Sequence, residues 1–243
     1  ANGQSLTVTA TGAMTWTGTA ETNGSFDLRG SAAIDVLIGG DKDDTLDGNA
    51  GTDTFTGNDG ADTIRADTAD VREIVVFLDK SDGAGAGLVA GFDVITGFDA
   101  IGDVNTQDQI KIDGDLETAL KTVNNTWAEF GLNGSAGGDQ DVSGGNYAIL
   151  ALGDAEVTLA DLTQANFVNV IEEIVEEVSV DSFANNQSFL FVVNTSDSSV
   201  HTSGVYYYKN AGTDENIAAG DLYLLGLITM AGDAELTHHD FIV

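Results

Sequence analysis

The sequence predicts a mainly β fold: a parallel β-roll, or β-helix, followed by a β-rich C-terminal capping region with a few short helices. Three observations predict it. Residues 30–65 read as four consecutive blocks of nine, with glycine always first (Gly30, Gly39, Gly48, Gly57), aspartate always sixth (Asp35, Asp44, Asp53, Asp62) and a large apolar residue always eighth (Leu37, Leu46, Phe55, Ile64). A fixed short period of this kind is the signature of stacked parallel coils with ion-binding turns. The segments on either side are rich in short runs of Val, Ile, Phe, Tyr and Thr, which suit strands. Finally, the chain has 30 glycines and no proline, so its turns rely on Gly, Asn and Asp.

Size and charge narrow the possibilities. The chain has 243 residues, 42% of them apolar, enough for one or two domains with a real core. Its 40 acidic and 8 basic side chains give a formal net charge of -32. Nucleic acid is excluded as a natural partner, because phosphate binding needs a basic footprint. Anionic membrane surfaces are disfavoured for the same reason. Calcium is the natural counter-ion for crowded carboxylates. Without cysteine there are no disulfides and no thiolate zinc sites. Bound metal can take the place of those staples. No apolar run approaches transmembrane length. The start, Ala1-Asn2-Gly3, has neither the basic nor the apolar region of a leader, and the lack of a methionine there points to a processed chain or a fragment of a longer one.

In chain order, Gln4 to Ala20 alternates Leu6, Val8 and Ala10 with Thr7, Thr9 and Thr11, which predicts a leading edge strand, with Trp16 capping the end of a core. Thr22 to Arg29 reads as a degenerate turn into the repeats. Each nonapeptide from Gly30 to Arg65 supplies a turn and a short strand whose apolar eighth residue points inward. Glu73 to Leu78 is an apolar run that suits a buried strand. Phe92 to Phe98 and Asp108 to Ile112 read as two further coil strands. Leu116 to Val123 reads as a short helix with Leu116, Leu120 and Val123 on one face, capped by Asp113 or Asp115. Tyr147 to Leu152 and Glu156 to Leu159 resemble a hairpin about Gly153-Asp154, while Thr158 to Asp161 has the form of a capping box. Val168, Ile171, Val175 and Val178 recur at helical spacing, with Glu172, Glu173, Glu176 and Glu177 outward. Ser188 to Val193, Gly204 to Lys209 and Asp221 to Thr229 read as strands, the Tyr206-Tyr207-Tyr208 run half-buried. The expected organisation is an N-terminal β segment (1–29), an ion-binding roll (30–66), its continuation (67–112) and a C-terminal cap (113–243).

Two nonapeptides complete one coil, so residues eighteen apart lie above one another. Asp35 then stacks on Asp53 and Asp44 on Asp62. Each pair is expected to share a calcium ion. The backbone carbonyls of the turns, at Gly39, Asp41, Gly48, Ala50, Gly57 and Asp59, are expected to complete the oxygen shell. Without the ion the stacked carboxylates repel, so folding is expected to be metal-linked. The Asn133 to Asn146 loop, with Asp139 and Asp141, reads as solvated because no period supports it.

These nonapeptides resemble those of the RTX (repeats-in-toxin) family, exported by bacterial type I secretion. Ala33 and Lys42 depart from the fourth-place glycine, kept as Gly51 and Gly60, and Ser31, Asn49 and Asn58 depart from the second. The segments Asp93 to Phe98 and Asp108 to Ile112 are similar to the stretch after the repeats in that family. The terminal Asp240-Phe241-Ile242-Val243 is similar to its uncleaved export signal. The resemblance implies a chain that stays unfolded where calcium is scarce and folds outside the cell, after C-terminus-first export by the type I secretion machinery.

Catalytic patterns are missing: there is no His-Glu-x-x-His, no Gly-x-Ser-x-Gly and no cysteine, and the three histidines are His201, His238 and His239. His238-His239 reads as an exposed pair. The chain is therefore expected to be a structural rather than catalytic module, secreted or at the cell surface, from a surface-layer protein or large adhesin that self-assembles or meets a surface glycan. The alternative is the carrier domain of a secreted protease or lipase, and a free-standing lectin is a third reading.

Overall fold

The computed structural model describes residues 4–67, 71–83, 87, 90–100, 106–120, 128–132, 140–141, 147–152, 157–179, 188–195, 201–209, 217–232, 235–237 and 240–242. Its strands begin with β1 (Ser5–Thr9), β2 (Thr15–Thr17), β3 (Ser25–Arg29), β4 (Val36–Ile38), β5 (Thr45–Asp47), β6 (Thr54–Thr56), β7 (Thr63–Arg65), β8 (Ile74–Phe77), β9 (Asp93–Phe98) and β10 (Gln109–Ile112). They continue with β11 (Ala128–Leu132), β12 (Gln140–Asp141), β13 (Tyr147–Leu152), β14 (Val178–Ser179), β15 (Ser188–Asn194), β16 (Thr202–Lys209), β17 (Leu222–Met230) and β18 (Phe241–Ile242). The α-helices are α1 (Gly114–Leu120), α2 (Leu159–Leu162) and α3 (Val168–Glu177).

The chain winds as a parallel β-roll. Odd-numbered strands from β1 to β9 line one sheet, and even-numbered strands from β2 to β10 line the other. Within the repeats the register is eighteen residues: Thr45 pairs with Thr63 and Val36 with Thr54. Each three-residue strand sends its middle side chain inward, so Leu37, Leu46, Phe55 and Ile64 are wholly buried. Full burial of such side chains contributes roughly 1.5–3 kcal/mol each. Two sheets only a few residues wide thus enclose one continuous core. It runs on through Val75, Phe77, Ile95, Phe98, Ile110 and Ile112.

After β10 the two sheets part company. Among the described residues the first gains five strands, in the order β9-β17-β16-β15-β13-β11, and the second gains β18, parallel to β10. The extension is buried on both faces. Leu190, Val192, Val205 and Tyr207 join the core of the roll, whereas Phe189, Phe191, Val193, Tyr206 and Tyr208 pack with Leu162, Phe167, Val170 and Ile174 of the helical segment. A strand covered on both sides reads as an unbroken apolar run, as β15 does.

Several local expectations need correction. Residues 22–29 are not only a turn, because Ser25–Arg29 forms β3, paired with both β1 and β5. Tyr147 to Leu159 is not a hairpin. The strand β13 lies parallel to both of its neighbours, and Leu159 opens α2. The tyrosine run is fully rather than half buried, because helices cover the face a bare hairpin would leave wet. On α3 the buried stripe is Val170 and Ile174, with Ile171 beside it, while Val168 and Val175 are exposed. The capping aspartate is present: Asp161 accepts from Thr158 N at 2.8 Å. On α1, Asp113 accepts from Gly114 N at 2.8 Å and Leu116 is buried, while Val123 lies outside the described residues. Trp16 meets Phe26 edge-on at 5.6 Å, at the end of the core.

Candidate metal centre

Each repeat turn ends on its aspartate, and the next residue enters a strand. That order fixes where the carboxylate goes. It folds back over its own turn and also reaches the coil before it. Asp44 accepts from Gly40 N at 2.7 Å and from Phe26 N at 2.6 Å. Asp35 does the same with Ser31 N, at 2.6 Å, and Met14 N. Asp53 accepts from Asp35 N at 2.8 Å, and Asp62 from Asp44 N at 2.7 Å. The structure therefore brings together the pairs Asp35–Asp53 and Asp44–Asp62, one column on each edge of the roll. All four side chains are buried.

The turns come in two forms. Asn49 and Asn58 adopt φ of 65° and 66°, and Gly51 and Gly60 follow at 132° and 136°. Asparagine tolerates the first conformation and only glycine adopts the second cheaply. Asn49 and Asn58 then donate from Nδ2 to the carbonyls of Gly30 and Gly39 in the preceding coil, at 2.8 and 2.9 Å. At Gly57 a Cβ would overlap Asp62 Oδ2, so the missing side chain makes room for the carboxylate. Gly39 and Gly48 stand likewise against Asp44 and Asp53.

The electrostatics are those of an anionic site short of positive charge. Burial raises the Asp53 carboxyl to about 6 and Asp62 to about 8, with neighbouring aspartates adding to both. Asp44 is also raised, first by burial. Asp53 Oδ2 and Asp62 Oδ2 are buried and accept no hydrogen bond. A buried, unpartnered anionic oxygen is costly, and a cation removes the cost. The donors are carboxylates and carbonyls, with neither thiol nor imidazole among them. They suit a hard cation that takes six to eight oxygens. The residues therefore fit calcium.

The turn residues expected as carbonyl ligands divide. The Gly39 carbonyl also accepts from Asn58, and the Asp41 carbonyl accepts from Lys42 Nζ at 3.0 Å. Ala50 N donates to Ser31 O at 3.1 Å, tying adjacent turns on the Asp35–Asp53 edge. Asp59 meets two residues the repeat pattern did not single out. One carboxylate oxygen from each of Asp59, Asp79 and Asp82 lies within 4.8 Å of the others. Asp139 and the His238-His239 pair lie outside the described residues, and Asp141 is in β12.

Sequence reasoning also missed that the columns continue past the repeats. Asp93 occupies the position after Asp62 and accepts from Asp62 N at 3.0 Å. Glu73 and then Asp108 follow Asp53, and Asp108 accepts from Glu73 N at 2.8 Å and from Asp99 N at 2.7 Å. A signal was available: an acidic residue stands immediately before β8 and β10 and opens β9.

Residues 29–64 match the family model of the RTX calcium-binding nonapeptide repeat, in four copies. No curated protein matches the chain. Calcium is the ion that such repeats bind. Over residues 29–64 the chain thus carries the calcium-binding nonapeptide repeats of the RTX family.

Proposed function

We propose that this chain is the calcium-folded structural and secretion module of a protein exported by a type I system, and that the parent is a surface-layer protein or large adhesin. The observation that carries the reading is the pair of carboxylate columns with buried, unpartnered oxygens in a chain of net charge -32. Asp35, Asp44, Asp53 and Asp62 act as ligands, not as catalysts, with the turn carbonyls at Gly39, Asp41, Gly48, Ala50, Gly57 and Asp59 around them. Sites of extracellular type have dissociation constants on the order of 10⁻⁴–10⁻³ M. Such sites stay empty in the cytosol, and the acidic chain then keeps itself extended by self-repulsion. Outside the cell calcium neutralises the columns, and the closed roll offers the edge strand β9, on which β17 and the rest of the extension build.

The C-terminal residues serve two states in this reading. Unfolded, Asp240 to Val243 present the export signal. Folded, Asp240 to Ile242 dock on the roll: β18 pairs with β10, and Gln107 Nε2 donates to Asp240 Oδ1 at 2.9 Å. The test has two parts. Asp62→Ala is expected to weaken calcium binding by titration calorimetry well beyond Asp139→Ala; equal effects would sink the ligand assignment. Deleting Asp240 to Val243 is expected to reduce export while calcium-induced folding persists, and unchanged export refutes the secretion role.

A further inference from the structure

The two sheets of the roll end on the same side, β1 finishing the first and β2 the second, and among the described residues no strand pairs beyond either. At the opposite side the last strands of the roll, β9 and β10, are paired with β17 and β18. Hydrogen bonds fix which backbone groups the open side presents. Gln4 O accepts from Ser25 N, and Ala10 N donates to Arg29 O, so the even-numbered residues of β1 face β3. The N–H and C=O of Ser5, Thr7 and Thr9 therefore point away from the sheet. On β2, Met14 O accepts from Val36 N and Gly18 N donates to Ile38 O, which turns the backbone groups of Thr15 and Thr17 the same way. All five of these residues are exposed, and Leu6 among them is 46% exposed. Native edge strands are commonly blunted by lysine, proline or a bulge. Neither β1 nor β2 has any of these.

We propose that the open end of the roll is an interface between two copies of this chain, joined by antiparallel pairing of β1 with β1 and β2 with β2. The interface rests on the calcium-folded roll and deepens the surface-layer reading. Charge selects the occupant. At a net charge of -32, copies of the chain repel one another over most of their surface. Residues 1–20 nevertheless contain no charged side chain. The first is Glu21, whose Oε1 is turned back onto Asn23 N and Gly24 N, at 2.9 and 3.0 Å. In the next strand, Asp27 and Arg29 neutralise each other at 3.2 Å. A second copy thus reaches this end without carboxylate meeting carboxylate, and its own unpaired N–H and C=O groups answer those of Thr7 and Thr17. Head-to-tail stacking is closed off, because β17 and β18 occupy the far end of the roll. A two-fold axis normal to the sheets sets like edges together, antiparallel, and uses up both, so assembly stops at two copies.

The test is sedimentation velocity on the full chain in saturating calcium, with circular dichroism to follow the fold. The wild type is expected to form a dimer that grows with concentration. Thr7→Pro removes an outward N–H and leaves the bonds to β3 in place. Leu6→Lys puts a charge on the edge of each copy. Each variant is expected to weaken the dimer about tenfold or more. Leu159→Lys, at a similarly exposed leucine on α2, is the control and is expected to dimerise like the wild type. A wild type that stays monomeric to about 1 mM overturns the interface, as do edge variants that dimerise like the wild type or a control that loses as much. A chain that folds on adding calcium yet stays monomeric loses the interface and keeps the calcium reading. A chain with the same dichroism in EDTA and in calcium overturns that reading instead, and the variants alone then judge the dimer. Should an edge variant fail to fold, hydrogen exchange on the wild type decides. The amides of Thr7 and Thr17 are expected to gain protection as concentration rises, and exchange independent of concentration overturns the proposal.

Discussion

Acid is expected to stabilise this fold when calcium is withheld. Asp53 and Asp62 have carboxyl pKa values above the ordinary 3.8, at about 6 and about 8, chiefly through burial. Between the unfolded and folded values the folded chain holds more protons, so stability falls as pH rises through that window. Each unit corresponds to about 1.4 kcal/mol. Asp53 accordingly costs roughly 3 kcal/mol by neutral pH. Asp62 costs on the order of 4 kcal/mol, because at pH 7 only the interval below 7 has been crossed. The two residues stand in different columns, so their costs add to roughly 7 kcal/mol. Against a typical total of about 5–15 kcal/mol, that is enough to unfold the metal-free chain near neutrality. The assay is urea unfolding followed by circular dichroism in EDTA, at steps from about pH 4 to about pH 8. The midpoint is expected to fall across the series, to recover on adding calcium, and to fall less steeply in Asp53→Asn/Asp62→Asn, where the other raised carboxyls, Asp44, Glu73, Asp82, Asp93 and Asp108, still contribute. A metal-free midpoint that is constant or rises with pH refutes the reasoning.

Two further predictions concern packing. Phe55 lies between Leu37 and Val75 in the stack and is fully buried, so Phe55→Ala is expected to cost about 3–5 kcal/mol in saturating calcium. A loss under about 1 kcal/mol by chemical denaturation contradicts the stacked core. Gly57→Ala drives a Cβ into Asp62 Oδ2 and is expected to weaken calcium binding about tenfold or more, or roughly 1.4 kcal/mol. Gly12→Ala, where a Cβ meets nothing, is the control, and equal calcium affinities in the two variants count against the cradle.

The roll was legible because its constraints are local and periodic. Glycine, aspartate and an apolar residue recur at one spacing, and a two-repeat coil then puts Asp35 over Asp53 and Leu37 over Phe55. The strands from Ile74 to Ile112 were legible from their apolar content alone. Their acidic lead residues were not read as part of the columns. Glu73, Asp93 and Asp108 are spaced by loops of unequal length, and only strand pairing restores their register.

The C-terminal half shows the opposite balance. Composition marked β15, β16 and β17 as strands, yet nothing local says that β17 docks on β9, that β13 runs parallel to β15, or that β18 closes on β10. Those pairings join residues far apart in sequence, and backbone hydrogen bonds are the same whatever the partner. The outward face of the tyrosine run was decided in the same way, by helices that arrive from elsewhere in the chain. By itself the sequence determined the coil, its period and the carboxylates that need a cation. Only the tertiary structure decided how far the columns run and which of their oxygens lack a partner, because burial and register are properties of the assembled sheets.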